Sequence, residues 1–288
     1  MLNTIRRAGT LLTLFTEQRP DWGVREVAAQ LGMPRSNVHE LMSSLATIGL
    51  LQRTPDARYR LGWRLLTLSG HLVNSTDVAR VGLPVLHHLA EEHSRAVNIA
   101  TYDSGQIVSL GLVAPRSTAA VPRIGERLPA HCTASGKIML AHRSVELDRE
   151  VTLERLTART ITDPVLLCRQ LAQVRREDLA VDRRETHDSV VCVASPIRDG
   201  RSGAVIAALS LRATPADFTS KHAEYAHAVR RGAARISALL SQEAQLAECP
   251  AGSEALGYLA GRPAEEATEG APGAPPANPD RTRRDASA

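Results

Sequence analysis

The stretch Val24-Arg25-Glu26-Val27-Ala28-Ala29-Gln30-Leu31-Gly32-Met33-Pro34 constrains the fold more than any other part of the chain, because two helical patterns meet there across three residues. Val24 to Leu31 reads as one helix and Gly32-Met33-Pro34 as a tight turn. Pro34 opens the next helix, where a missing N–H costs nothing. That helix carries Val38, Leu41, Met42, Leu45 and Ile48 on one face. Two helices packed at such a turn need a small residue where they touch, a glycine in the turn and apolar residues that lock the second onto the first. Ala28, Gly32, Val38 and Leu41 stand at those places.

A further helix, about Asn3 to Thr16, precedes the pair with Ile5, Ala8, Leu11, Leu12 and Phe15 at helical spacing, and Gln18-Arg19-Pro20-Asp21 ends it. After Gly49, the segments Leu50 to Arg53 and Arg58 to Leu61 flank the turn Thr54-Pro55-Asp56-Ala57 as a short β-hairpin. The whole reads as a winged helix-turn-helix that binds DNA. With Val38, Leu41 and Leu45 turned inward, the third helix presents Arg35, Ser36, Asn37, His39, Glu40 and Ser43 outward. Its first turn is the part that enters a major groove. Arg35 suits guanine O6/N7 and Asn37 suits adenine, while Ser36, His39 and Ser43 suit phosphates. Glu40 fits acceptance from cytosine or orientation of Arg35. Arg53, Arg58 and Arg60 alternate along the wing, spaced to neutralise phosphates, although each taken singly reads equally well as a solvated charge.

Downstream, Trp63 to about Ser75 reads as a linking helix and Val81 to His93 as an amphipathic one. Strands are expected at Ala96 to Tyr102, Gln106 to Val113, Ser117 to Val121, Val190 to Ile197 and Ala204 to Leu211. Helices are expected from about Cys132 to His142, in the material running through Arg176, and from Asp217 to about Leu246. The fold class is α+β, divided as a DNA-binding unit 1–62, a linker helix 63–78, a second α/β domain 79–247 and a tail 248–288. The tail, rich in Ala, Pro, Gly and Glu, offers too few apolar side chains to offset the entropy of ordering and is expected to be disordered.

Charge and cysteine usage narrow the class. Lys+Arg 35 against Asp+Glu 31 gives +4, compatible with nucleic acid without requiring it. Cys132, Cys168, Cys192 and Cys249 form no CxxC pair, which argues against a zinc ribbon or a disulfide framework. The longest apolar run near the start, Leu11-Leu12-Thr13-Leu14-Phe15, is too short for a signal core or a membrane span. A cytoplasmic protein is expected.

The segments from Val24 to Pro34, with Val38, Leu41, Leu45 and Gly49, and then Tyr59-Arg60-Leu61-Gly62, resemble the IclR family of bacterial regulators. So do Arg127-Leu128-Pro129-Ala130-His131-Cys132-Thr133-Ala134-Ser135-Gly136-Lys137, Val190 to Ile197, and Ala204 to Ser210. The resemblance covers about Thr4 to Leu246. It implies a GAF-like α/β effector-binding domain, homodimers paired through the DNA-binding half and linker helix, and often homotetramers. It also implies a small organic or aromatic acid that alters operator binding, as a repressor or, alternatively, an activator. Carried over, the pocket comprises Ala134, Ser135, Gly136, Asp182, Cys192 and Ser210. Free N–H groups at a helix N-terminus favour a carboxylate, in agreement with this. Ser189 and Asp178-Leu179 stand where the family usually has glycine.

Other chemistries fare worse. His131 with Cys132, or His187 with Cys192, suggests a thiol nucleophile and base, but adjacent helical residues diverge and free cysteine is commonly a small buried hydrophobe. Thr133 to Lys137 lacks the glycine and hydroxyl of a phosphate loop. A metal held by His131, Cys132, Asp182 and Cys192 has no recognised zinc spacing, and no cofactor is expected. Lys137 is expected to be solvated or helix-packing. A DNA-binding scaffold without a ligand remains a third class.

Overall fold

The computed structural model describes residues 3–115, 123–143 and 153–248. The expected strand Ser117 to Val121, Cys249 and nearly all of the tail lie outside them. The N-terminal part is a helix-turn-helix with a wing. It comprises α1 (Asn3–Leu12), α2 (Val24–Leu31), α3 (Arg35–Thr47), β1 (Leu51–Arg53) and β2 (Tyr59–Leu61). Its core gathers Leu11, Phe15, Trp22, Val27, Val38, Met42, Leu45, Leu51 and Tyr59. Gly32 ends α2 at φ 62°, its N–H returning to Ala28 O, a left-handed conformation that glycine adopts without cost. The turn therefore forms where the sequence places it. Trp22 and Tyr59 exchange backbone hydrogen bonds of 2.9 Å each, which fastens the wing beside α2.

Two details differ from expectation. Helix α1 stops at Leu12, not Thr16, and the carbonyl of Leu14 instead accepts the Trp22 indole N–H at 2.9 Å. Ile48 leaves the buried face: it caps α3 outside its last turn and is 48% exposed.

Next come α4 (Arg64–Asn74) and α5 (Asp77–His93). The latter begins four residues before Val81, with Asp77 in its first turn, where a carboxylate meets the positive end of the helix dipole. Then follow β3 (Val97–Asp103), β4 (Gln106–Val113), β5 (Arg127–Pro129), α6 (Ala134–His142) and α7 (Pro164–Glu177). The chain continues through β6 (Ala180–Arg183), β7 (Val191–Arg198), β8 (Val205–Ala213) and α8 (Pro215–Glu248). Six strands form one antiparallel sheet in the order β5-β4-β3-β8-β7-β6.

Strand alternation gives the sheet two faces. Val97, Ile99, Val193, Ile197, Leu209 and Leu211 meet α5 and α8 in one core. Ala100, Ala194 and Ala208 meet Ile138 of α6 and Leu167 and Leu171 of α7 in another. The small residues on this second face let α6 lie close to the sheet. Strand β5 escaped the pattern reading because three residues carry too little periodicity. Cys132 does not begin α6: Ala130–Cys132 make a single 3₁₀ turn, and Thr133 caps the helix by accepting from Gly136 N–H at 3.0 Å. Asp178, where the family usually has glycine, ends α7 at φ 50°, a conformation that aspartate tolerates better than most residues.

Candidate functional site

Two sets of residues carry chemistry. On α3, Val38 and Met42 are fully buried and Leu45 nearly so, while Leu41 is half-buried. The opposite side presents Arg35, Ser36, Asn37, His39, Glu40 and Ser43, all exposed. Their only side-chain hydrogen bond with one another is Ser36 Oγ to Asn37 Oδ1 at 3.4 Å. In the wing Arg53 and Arg60 are exposed, Arg60 touching Gln52 at 3.4 Å. Arg58 differs: its guanidinium donates to Glu26 Oε2 at 2.8 Å and to Asp21 O at 2.9 Å. Those bonds spend the guanidinium on joining the wing to α2.

The second set lies on the α6 side of the sheet. Register pairs Asp182 with Cys192 and Cys192 with Arg212, and Ala194 with Ser210, so Asp182, Cys192 and Ser210 share one face. Ala134, Ser135 and Gly136 open α6, which packs on that same face. Three of the six residues thus lie on the sheet face against which α6 packs and the other three open α6, although the six span 77 positions of sequence (Ala134 to Ser210). Gly136 has a packing reason of its own: a Cβ there would stand 2.1 Å from Ala130 O. Its N–H is taken by Thr133 Oγ1, so the unclaimed donors of this helix end, among the described residues, are the N–H groups of Ala134 and Ser135.

Sequence reasoning missed the charges beneath them. Lys137 is not solvated; it is 0% exposed, and its Nζ donates to Glu185 Oε1 and, at 3.3 Å, to Val181 O. Glu185 is buried as well, and its Oε2 has no hydrogen-bond partner among the described residues. Asp182 accepts from Glu185 N–H at 2.6 Å and from Thr186 Oγ1 at 2.5 Å. A lone lysine in the otherwise apolar run Ile138-Met139-Leu140-Ala141, and a glutamate three residues past Asp182, were the available signals.

Electrostatics follow from burial. Desolvation pushes the Asp182 carboxyl above the usual range against its hydrogen bonds, with Glu185 adding to the shift. Burial first, and then Asp182, pushes both the Cys132 and Cys192 thiols up to about 12. These are neutral thiols at pH 7, inert as nucleophiles. His131 Nε2 is hydrogen-bonded with Glu154 O at 2.9 Å, away from thiol chemistry. Among the described residues no three His, Cys, Asp or Glu side chains are grouped to hold a metal. A cavity of about 500 Å³ opens elsewhere, against the edge strand β6, where α7, α8 and the α8-side residues Val181, Arg183 and Val193 line it. It is not the space under α6.

Residues 4–55 match the IclR helix-turn-helix domain and residues 70–238 the bacterial transcriptional regulator IclR C-terminal domain. The regulator XynR of Escherichia coli is 31% identical over 73% of this chain and 86% of its own length. The Pca regulon regulatory protein of Pseudomonas putida is 29% identical over 73% and 74%. Among solved structures, an IclR homologue of Microbacterium hydrocarbonoxydans complexed with 4-hydroxybenzoate superimposes with a TM-score of 0.71, at 25% identity over 83% of this chain and 99% of that one. The Thermotoga maritima IclR gives 0.64 at 26% identity over 84% and 100%. With the helix-turn-helix and the antiparallel effector fold both in place, the chain belongs to the IclR family of bacterial transcriptional regulators, ligand-responsive DNA-binding proteins and not enzymes.

Proposed function

We propose that this regulator is a repressor that reads a two-fold operator as a homodimer and answers to a small organic acid. The observation that carries the DNA half is the polar outer face of α3, with its six side chains exposed beside a buried apolar face. Arg35 and Asn37 read base edges, Ser36, His39 and Ser43 hold phosphates, Glu40 steadies Arg35, and the wing adds Arg53 and Arg60. Arg58 contributes by holding the wing in place. Residues 1–62 form the reading unit, 63–78 the linker, 79–247 the effector unit and 248–288 a tail, acting in the cytoplasm. Among the described residues no helix is long and apolar enough to cross a membrane.

The dimer reading rests on α4 and its N-cap. Trp63 is 73% exposed, Leu66 67% and Leu72 65%, an apolar strip that a second copy would cover. Effector domains would then pair two dimers into a tetramer.

The organic-acid reading rests on the N–H groups of Ala134 and Ser135, with Gly136 permitting the close turn, facing Asp182, Cys192 and Ser210. The 4-hydroxybenzoate complex of the Microbacterium relative supports an aromatic acid. Because the ligand must bind the two arrangements of the dimer unequally to regulate it, the test couples both halves. Gel shifts of the protein on its own upstream DNA, with 4-hydroxybenzoate and a series of related acids, should show a specific complex that one acid weakens. A complex indifferent to every acid would sink the effector reading, and a complex strengthened by an acid with higher reporter output would make the protein an activator.

A further inference from the structure

The cavity at the edge of the sheet has a polarised construction. Its floor is apolar, made by Val174, Val181, Val193 and Phe218. The α7 side supplies Gln170, Gln173 and Glu177, whose carboxylate accepts from Gln173 Nε2 at 2.8 Å. The other wall, from β6 and α8, supplies Arg183 and His222. The Arg183 guanidinium is exposed and has no ion pair or hydrogen bond among the described residues. An apolar floor with a few convergent polar groups and a volume of about 500 Å³ is the construction of a small-molecule cleft.

We propose that this cleft is a second small-molecule site, distinct from the one under α6, for an organic acid with an apolar body. The carboxylate end lies on Arg183, with His222 beside it, as a guanidinium fork suits a carboxylate. The apolar body lies on Val193 and Phe218, and the Glu177 carboxylate on the α7 side disfavours acids that carry a second carboxylate. The site is also placed to be felt across the sheet: Arg183 and Asp182 are neighbours on β6 with side chains on opposite faces, so each site has a residue on the same four-residue strand.

The test is fluorine NMR of the full chain titrated with 3-fluoro-4-hydroxybenzoate. Two bound signals are expected. Arg183→Gln and His222→Gln should each weaken the same signal, Arg183→Gln by tenfold or more, while Ser210→Ala weakens only the other. 2-Fluorophenol, the same ring without the carboxylate, should lose the Arg183-dependent signal. If the Ser210-dependent signal alone appears, the cleft is not a ligand site and the effector reading stands. If the Arg183-dependent signal alone appears, the cleft reading stands and the site under α6 falls. A change of oligomeric state on Arg183→Gln, seen by sedimentation, with no Arg183-dependent signal, would assign the cleft to a second copy of the chain and overturn the proposal.

Discussion

Arg58 of the wing and Glu26 of α2 form an ion pair of 2.8 Å across 32 residues of sequence, and the same Glu26 Oε2 accepts the Gly23 N–H at 2.9 Å and meets Arg19 at 3.2 Å. One carboxylate thus caps α2 and ties it to the wing. The Gly23 N–H first, then Arg58, lower its pKa from 4.5 to about 2. A carboxylate with a depressed folded-state pKa contributes stability above its unfolded pKa and loses it as pH falls through the folded value. The DNA-binding unit should therefore weaken between about pH 4.5 and 2, and Glu26→Gln should flatten that dependence. Fluorescence of buried Trp22 against pH reads the effect; a Glu26→Gln profile with the same slope as the parent would refute it.

Wing arginines should separate by salt dependence. Each phosphate contact removed lowers the slope of log affinity against log salt by about 0.9. Arg53→Ala and Arg60→Ala are expected to do so, whereas Arg58→Ala should weaken binding with the slope unchanged. Equal slopes for all three variants would place Arg58 on the DNA.

Arg35→Ala should cost about 1–3 kcal/mol of specific binding and leave non-specific binding nearly intact. Competition gel shifts with operator and scrambled duplex distinguish this from a uniform loss, which would make Arg35 a phosphate contact.

Lys137→Met should destabilise the effector domain by about 3–5 kcal/mol, since it strands a buried carboxylate at Glu185. The double variant Lys137→Met with Glu185→Leu should recover most of that, read by urea denaturation. Single and double variants of equal stability would mean that the pair is not the source of the loss.

Organic-acid affinity should rise as pH falls through the elevated pKa of Asp182, because a protonated Asp182 donates to an incoming carboxylate and an ionised one repels it. Calorimetric titration at successively lower pH from neutral should show the trend, and Asp182→Asn should abolish it. An affinity that climbs with pH would exclude Asp182 from the acid's surroundings.

The local sequence of α2, the turn at Gly32 and the wing was enough to determine the helix-turn-helix, because short-range periodicity and one left-handed glycine dictate it without long-range help. The same holds for which α3 residues face outward. The proposed six-residue effector set came only from resemblance; strand register, a long-range property, is what brings Asp182, Cys192 and Ser210 to the face on which α6 packs. Periodicity also could not tell that Lys137 is buried, since its burial depends on Glu185 arriving from the turn after β6, or that Arg58 is spent on Glu26. Pairings of charges distant in sequence, and a cleft assembled from α7, β6, β7 and α8, exist only once the chain has closed its sheet. Coulomb attraction and desolvation act on distance in space, and only the tertiary structure sets that distance.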